Sequence, residues 1–216
     1  PTSREAHVTV LVIGAHGAVG RKLLPVLQDA GHEVRGMIRD GDQASTVRSL
    51  GAEPVVGDLE GDFARHLDGC DAMIFTAGSG GGTGADRTVA VDGLGAIRAV
   101  DAASEHGVRR FVMVSALGAG DPDRSETIRH YLVAKGIADG YLERSGLDHT
   151  ILRPGRLTDE EPTGLVRLDD DGAGGSVTRA DVAHVAALCL AHRNTVGTVL
   201  PLLNGETPVE EALREV

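Results

Sequence analysis

The stretch His7–Gly20, HVTVLVIGAHGAVG, decides the fold of this chain. Val8 to Ile13 is an unbroken β-branched and leucine run, the pattern of a strand buried on both faces. Gly14, Gly17 and Gly20 follow at three-residue spacing, and Arg21 to Ala30 reads as a helix closed by Gly31. Strand, glycine turn and helix together make a cradle for phosphate. Gly14 permits the sharp turn, Gly17 lets backbone approach a pyrophosphate, and Gly20 lets helix and strand pack closely. The positive end of the helix and its free N–H groups then face the anion. The pattern predicts that Gly14, Ala15, His16, Gly17, Ala18, Val19 and Gly20 seat a dinucleotide. His16 either contacts phosphate or is a tolerated side chain.

Working outward, strands and helices alternate. His32–Ile38, Glu53–Val56, Asp71–Thr76, Arg110–Ser115, His149–Arg153 and Val196–Leu203 read as strands. Helices are expected at Asp42–Leu50, Asp62–Leu67, Asp86–His106, Ser125–Arg144 and Val209–Glu215, and another runs to His192 from a capping-box pattern at Thr178 and Asp181. The polar, glycine-rich segment Thr158–Val177 is expected to form loops or a small hairpin. Such alternation predicts an α/β fold, a Rossmann-type doubly wound parallel sheet, in a single domain spanning residues 1–216. Residues 157–178 then lie on the substrate side.

Ligands of such sheets bind beyond the carboxyl ends of the strands. After the second strand stands Arg39, about twenty residues past Gly20. An acid there grips ribose hydroxyls, whereas arginine favours a 2′-phosphate and therefore NADP over NAD. Asp40 beside it is an imperfect neighbour for a phosphate. After the third strand, Asp58 is placed to accept from the adenine amino group, or to cap a helix, while Leu59 covers the ring. After the fourth, Ala77, Gly78 and Ser79 bring small residues close to the cofactor's middle. The loop Gly78–Gly84 reads equally as a mobile lid or as a surface loop. After the fifth stands Ser115, followed by Tyr131 and Lys135, four apart on one helix face. An ammonium beside a phenol is expected to lower its pKa and fit it for acid/base work. It also offers a hand to the nicotinamide ribose, while Ser115 orients a substrate carbonyl. Lys22 and Lys135 are the only lysines against 19 arginines, which adds weight to the second of them.

The chain has 216 residues, 41% hydrophobic and 25% charged, as soluble globular proteins do. A net charge of −11 repels nucleic acid. No apolar run reaches membrane-spanning length and no secretion signal is visible, so a cytoplasmic protein is expected. The acidic, lysine-poor composition suits concentrated salt, and a GC-rich genome would give the same bias. Cys70 and Cys189 read as buried thiols, not a disulfide. No metal site is expected: Asp169-Asp170-Asp171-Gly172 lacks the ligand spacing of a calcium loop and reads as a solvated turn. Ser115 lacks the context of a hydrolase nucleophile.

GAHGAVG, Arg39, GDLE, TAGSG, VSALGA and YLVAK together resemble the short-chain dehydrogenase/reductase superfamily, nearest to its short atypical, NmrA-like members and the epimerase-like proteins among them. The resemblance runs from about Val8 to Leu203, and RPG at Arg153–Gly155 and TRADVA at Thr178–Ala183 strengthen it. It implies a Ser-Tyr-Lys set at Ser115, Tyr131 and Lys135, with Asp92 where the full enzymes carry asparagine. An acid beside Lys135 alters the proton path. The resemblance also implies that Pro154 and Gly155 shape the wall beside the nicotinamide. The expected activity is NADP(H)-dependent reduction of a small carbonyl, quinone or flavin-like acceptor by a monomer or homodimer. Alternatives are a non-catalytic NADP(H) sensor and a sugar-nucleotide epimerase or dehydratase. The last is disfavoured because only about sixty residues follow the sixth strand.

Overall fold

The computed structural model describes residues 7–80 and 84–216. In chain order the elements are β1 (Thr9–Ile13), α1 (Gly20–Asp29), β2 (Glu33–Ile38), α2 (Ala44–Ser49), β3 (Glu53–Val56) and β4 (Ala72–Phe75). Next come α3 (Ala85–Thr88), a π-helical stretch Val89–Gly95, α4 (Ala96–Glu105), β5 (Arg110–Val114), α5 (Arg129–Glu143) and β6 (Asp148–Pro154). The last third holds β7 (Arg156–Thr158), β8 (Leu165–Arg167), β9 (Ser176–Thr178), α6 (Arg179–Leu188), β10 (Thr198–Asn204), β11 (Thr207–Pro208) and α7 (Val209–Arg214).

The main sheet has nine strands in the order β11-β8-β10-β6-β5-β4-β1-β2-β3. From β3 to β10 every pairing is parallel, as the alternation of strands and helices predicts. Strand direction reverses only at one edge, where the short β8 lies antiparallel to both β10 and β11. The apolar run of β1 is explained by its two packed faces. Val10 and Val12 enter a core with Leu23, Leu27 and Val185 from α1 and α6, while Leu11 and Ile13 enter a second core with Ala99, Val100 and Ala138 from α4 and α5. A strand covered on both faces cannot alternate polar with apolar.

Three expectations need correction. Residues 158–177 form no hairpin: β7 pairs with β9 in parallel as a separate two-stranded sheet, and β8 joins the main sheet instead. The helix expected over Asp86–His106 is not uniformly α, because Val89–Gly95 widens into a π turn. The helix expected from Ser125 begins only at Arg129. Of the loop expected at Gly78–Gly84, residues 81–83 lie outside the described residues. The solvated-turn reading of Asp169–Gly172 agrees with the contacts. Arg124 takes the Asp170 carboxylate at 2.9 Å, and Arg167 pairs with Asp169 and Asp171. Both cysteines are free, and burial pushes the Cys189 thiol up to about 11, leaving it inert.

Candidate active site

At the reversal of strand order, β1 and β4 end side by side, and the glycine turn is pinned between them. Gly14 has φ of +86°, in the left-handed region, and a Cβ there would lie 2.7 Å from the Ala77 backbone nitrogen. Thr76 Oγ1 bonds the Ile13 carbonyl at 3.0 Å and fixes the same contact from the other side. A Cβ on Gly20 would sit 2.2 Å from the Gly14 carbonyl oxygen. Gly20 therefore lets the first helical turn close over its own loop, a tighter constraint than helix–strand packing alone.

Two cavities open at this point, and Ala77 lines both. The first, about 230 Å³, is lined by Gly14, His16, Gly17, Arg39, Asp58 and Leu59, with Glu60 and Arg87. The second, about 550 Å³, holds Gly78, Ser79, Asp92, Ser115, Tyr131 and Lys135. The residues expected to hold the two ends of a dinucleotide thus divide between two cavities that meet at Ala77, beside a turn whose glycines leave its backbone open to such a ligand. The Asp40 carboxylate, next to Arg39, accepts from the Asp42 N–H at 3.0 Å and caps its own turn. Asp58 accepts from Glu60 N–H at 2.9 Å within a tight turn and caps no helix, because the next helical turn begins only at Ala64. Ala15 is buried beneath the turn. Val19 reaches the larger cavity.

Pro154 and Gly155 line neither cavity. A Cβ on Gly155 would meet Leu203 Cδ2 at 2.4 Å and the Gly175 carbonyl at 2.5 Å, so the glycine serves chain packing at the end of β6. Leu157, two residues on, forms the wall instead.

In the larger cavity, Lys135 Nζ lies 3.2 Å from Asp92 Oδ1 and 3.3 Å from the Val114 carbonyl oxygen. The other carboxylate oxygen of Asp92 accepts from Ser79 N–H at 2.9 Å. Asp92 reaches this position from the π stretch, where the wider turn brings it inward; such bulges often mark functional sites. The ammonium sits 5.7 Å from the Tyr131 ring centre. Contrary to expectation, the phenol pKa is raised: burial pushes it up, Lys135 lowers it, and Asp92 and Asp139 push it further up. The expected tuning by Lys135 is outweighed because burial disfavours phenolate and Asp92 offsets the ammonium charge. Behind Tyr131, Asp139 binds Arg153 Nε at 2.9 Å and has its own pKa raised by burial. Ser115 Oγ and Asp139 Oδ1 are buried without a well-formed hydrogen bond, yet the hydroxyl is near enough to oppose the effect of burial on that acid.

Residues 14–193 match the family described as NAD(P)H-binding. The chain belongs to that family, among the atypical short-chain dehydrogenase/reductases. It is 43% identical over 212 residues to the uncharacterized sugar epimerase YhfK of Bacillus subtilis (strain 168), covering 96% of this chain and 99% of the relative. A solved structure from Bacillus halodurans, described as an NAD-dependent epimerase/dehydratase, is 44% identical with a TM-score of 0.94, covering 97% of this chain and 100% of that one. The anaerobilin reductase ChuY of Escherichia coli O157:H7 is 29% identical with a TM-score of 0.75, covering 91% and 97%. Among the described residues, no helix of this atypical reductase fold is long and apolar enough to cross a membrane.

Sequence reasoning missed Arg179 and Asp139. Arg179 lines the larger cavity from the first position of α6. Its signal was present in the TRADVA stretch, read there for resemblance alone. Asp139 gave no signal, since a lone acid in a helix reads as solvated until a neighbouring strand covers it.

Proposed function

We propose that this protein is an NADP(H)-dependent reductase of a small carbonyl, quinone or flavin-like acceptor. The observation that carries this reading is a half-buried tyrosine, Tyr131, in a cavity that adjoins a second one bearing Arg39. The turn Gly14–Gly20 seats the pyrophosphate on backbone N–H groups, and Arg39 faces the 2′-phosphate. Lys135 has three N–H bonds, of which Asp92 and Val114 occupy two directions, leaving one for a ribose hydroxyl. Bound NADPH supplies a hydride. Ser115 Oγ orients the acceptor oxygen, and Tyr131 delivers the proton to it.

The raised phenol pKa keeps the proton on Tyr131 through neutrality. The form present at neutral pH is then the one that can donate a proton, and little phenolate is available to act as a base. Reduction needs the acid. Sugar-nucleotide epimerisation begins by oxidising a hydroxyl and needs the base, so this site supports reduction better.

Hydride transfer from NADPH to a panel of carbonyls, quinones and flavins tests the proposal. NADPH consumption is expected, with a strong loss in Tyr131→Phe. Tight NADPH binding without turnover of any acceptor would replace the reductase with the sensor reading. Arg39→Ala is expected to weaken NADPH far more than NADH, and equal losses would refute the 2′-phosphate assignment.

A further inference from the structure

The first residue of α6, directly after the substrate-side segment, adds one cation to the lining of the reacting cavity. Arg179 lines that cavity together with Ser115, Tyr131 and Leu157. Its side chain is 24% exposed and its guanidinium contacts Asp159 at 3.0 Å, while the Asp159 side chain is 75% exposed and stands outside the cavity lining. An ion pair with so exposed a partner is weak and exchangeable. The other cation that lines the cavity, Lys135, is already held by buried Asp92.

Arg179 is also rigidly presented. The Asp181 carboxylate accepts from Gly164 N–H at 2.9 Å, Thr163 N–H at 3.1 Å and Thr178 Oγ1 at 2.8 Å. Thr178 in turn caps α6 by accepting from Asp181 N–H at 3.0 Å. The same four residues that open α6 therefore divide their work. Thr178 and Asp181 tie the segment around residues 163–164 to the helix, and Arg179 lies in the lining of the cavity. A fixed, planar donor with an exchangeable partner is the recognition chemistry of a compact oxyanion.

We propose that Arg179 binds an anionic group of the acceptor, a carboxylate or a phosphate, while the acceptor's reducible centre lies at Tyr131. This rests on the reductase reading and narrows its substrate class to anionic acceptors. With a net charge of −11 the protein as a whole repels anions, so a preference for them must come from this local contact.

Two matched pairs test it: FMN against riboflavin for phosphate, and 4-carboxybenzaldehyde against methyl 4-formylbenzoate for carboxylate. In each pair charge changes while the reducible group is kept. Turnover is measured at saturating NADPH, and binding of the flavins by fluorescence quenching in the presence of NADP+. The anionic member of at least one pair is expected to show a KM or Kd at least about ten-fold lower, the scale of one charge-assisted contact. The pair that responds identifies the anion. In Arg179→Ala that ratio is expected to fall towards one, and in Arg179→Lys to be partly retained, which separates lost recognition from lost folding. Equal values in both pairs, no measurable binding or turnover of either anion, or a ratio untouched in Arg179→Ala would overturn the proposal. Anion preference in binding without turnover would defeat the reductase reading alone, and turnover without preference would defeat this inference alone.

Discussion

Asp92 and Lys135 form a buried ion pair, Oδ1 to Nζ 3.2 Å, across the gap between the π stretch and α5. In this position the carboxylate does two jobs. It holds the ammonium beside Tyr131, and it orders the Gly78–Ser79 backbone through the Ser79 N–H. Its charge also works against the lysine's effect on the phenol.

Asp92→Asn should reveal what the pair contributes to stability and to the phenol shift. Breaking a buried pair from one side leaves an uncompensated charge, at a cost of about 3–5 kcal/mol. Denaturant unfolding is expected to show a loss of that order. Removing the negative charge also takes away one cause of the raised phenol pKa, so the alkaline limb of the rate profile should move to lower pH. An unchanged midpoint and an unchanged profile would mean the pair has neither role.

The wild-type pH dependence follows from the sign of the Tyr131 shift. The ordinary phenol pKa is about 10, and burial raises it. The protonated donor therefore persists through neutrality, and deprotonation sets in only above that value. For reduction, kcat/KM is expected to carry no limb from Tyr131 between about pH 6 and pH 9. A tyrosine-dependent limb near pH 7, absent in Tyr131→Phe, would contradict this.

Tyr131→Phe removes the proton donor and little else, since no hydrogen bond holds the structure together through that hydroxyl in the contacts described. General-acid catalysis contributes about 10²–10⁴-fold. A loss of kcat in that range is expected with the NADPH Kd within about two-fold of wild type. Loss of cofactor affinity instead would make Tyr131 a binding group.

Gly20→Ala tests the phosphate turn by geometry. The new Cβ would stand 2.2 Å from the Gly14 carbonyl oxygen and 2.8 Å from that of Ala15, both backbone atoms. Neither can swing aside as a flexible side chain does. Overpacking of this kind costs about 1–3 kcal/mol, and NADPH binding should fall with it. Gly41→Ala, which meets nothing within 4 Å, should leave both untouched.

Asp181→Ala removes the acceptor shared by Thr163, Gly164 and Thr178. Each donor left unpaired in a buried setting costs about 1–3 kcal/mol. Hydrogen exchange is expected to show faster exchange at Thr163 and Gly164 while β1 and β5 stay protected. Uniform change across the sheet would point to global destabilisation instead.

Local sequence was enough to place β1, the phosphate turn and α1, because each depends on neighbours within a few residues. Burial on both faces needs a continuous apolar strand, a left-handed turn needs Gly14, and a loop closed on itself needs Gly20. The four-residue spacing of Tyr131 and Lys135 fixed their shared helix face in the same way. The sequence alone could not say what would stand opposite them. The raised pKa of Tyr131 comes from burial and from Asp92, thirty-nine residues away. The parallel pairing of β7 with β9, the approach of Asp139 to Ser115, and the place of Arg179 in the cavity lining are likewise relations between distant segments. Desolvation and Coulomb terms depend on distance in space, and packing alone sets that distance.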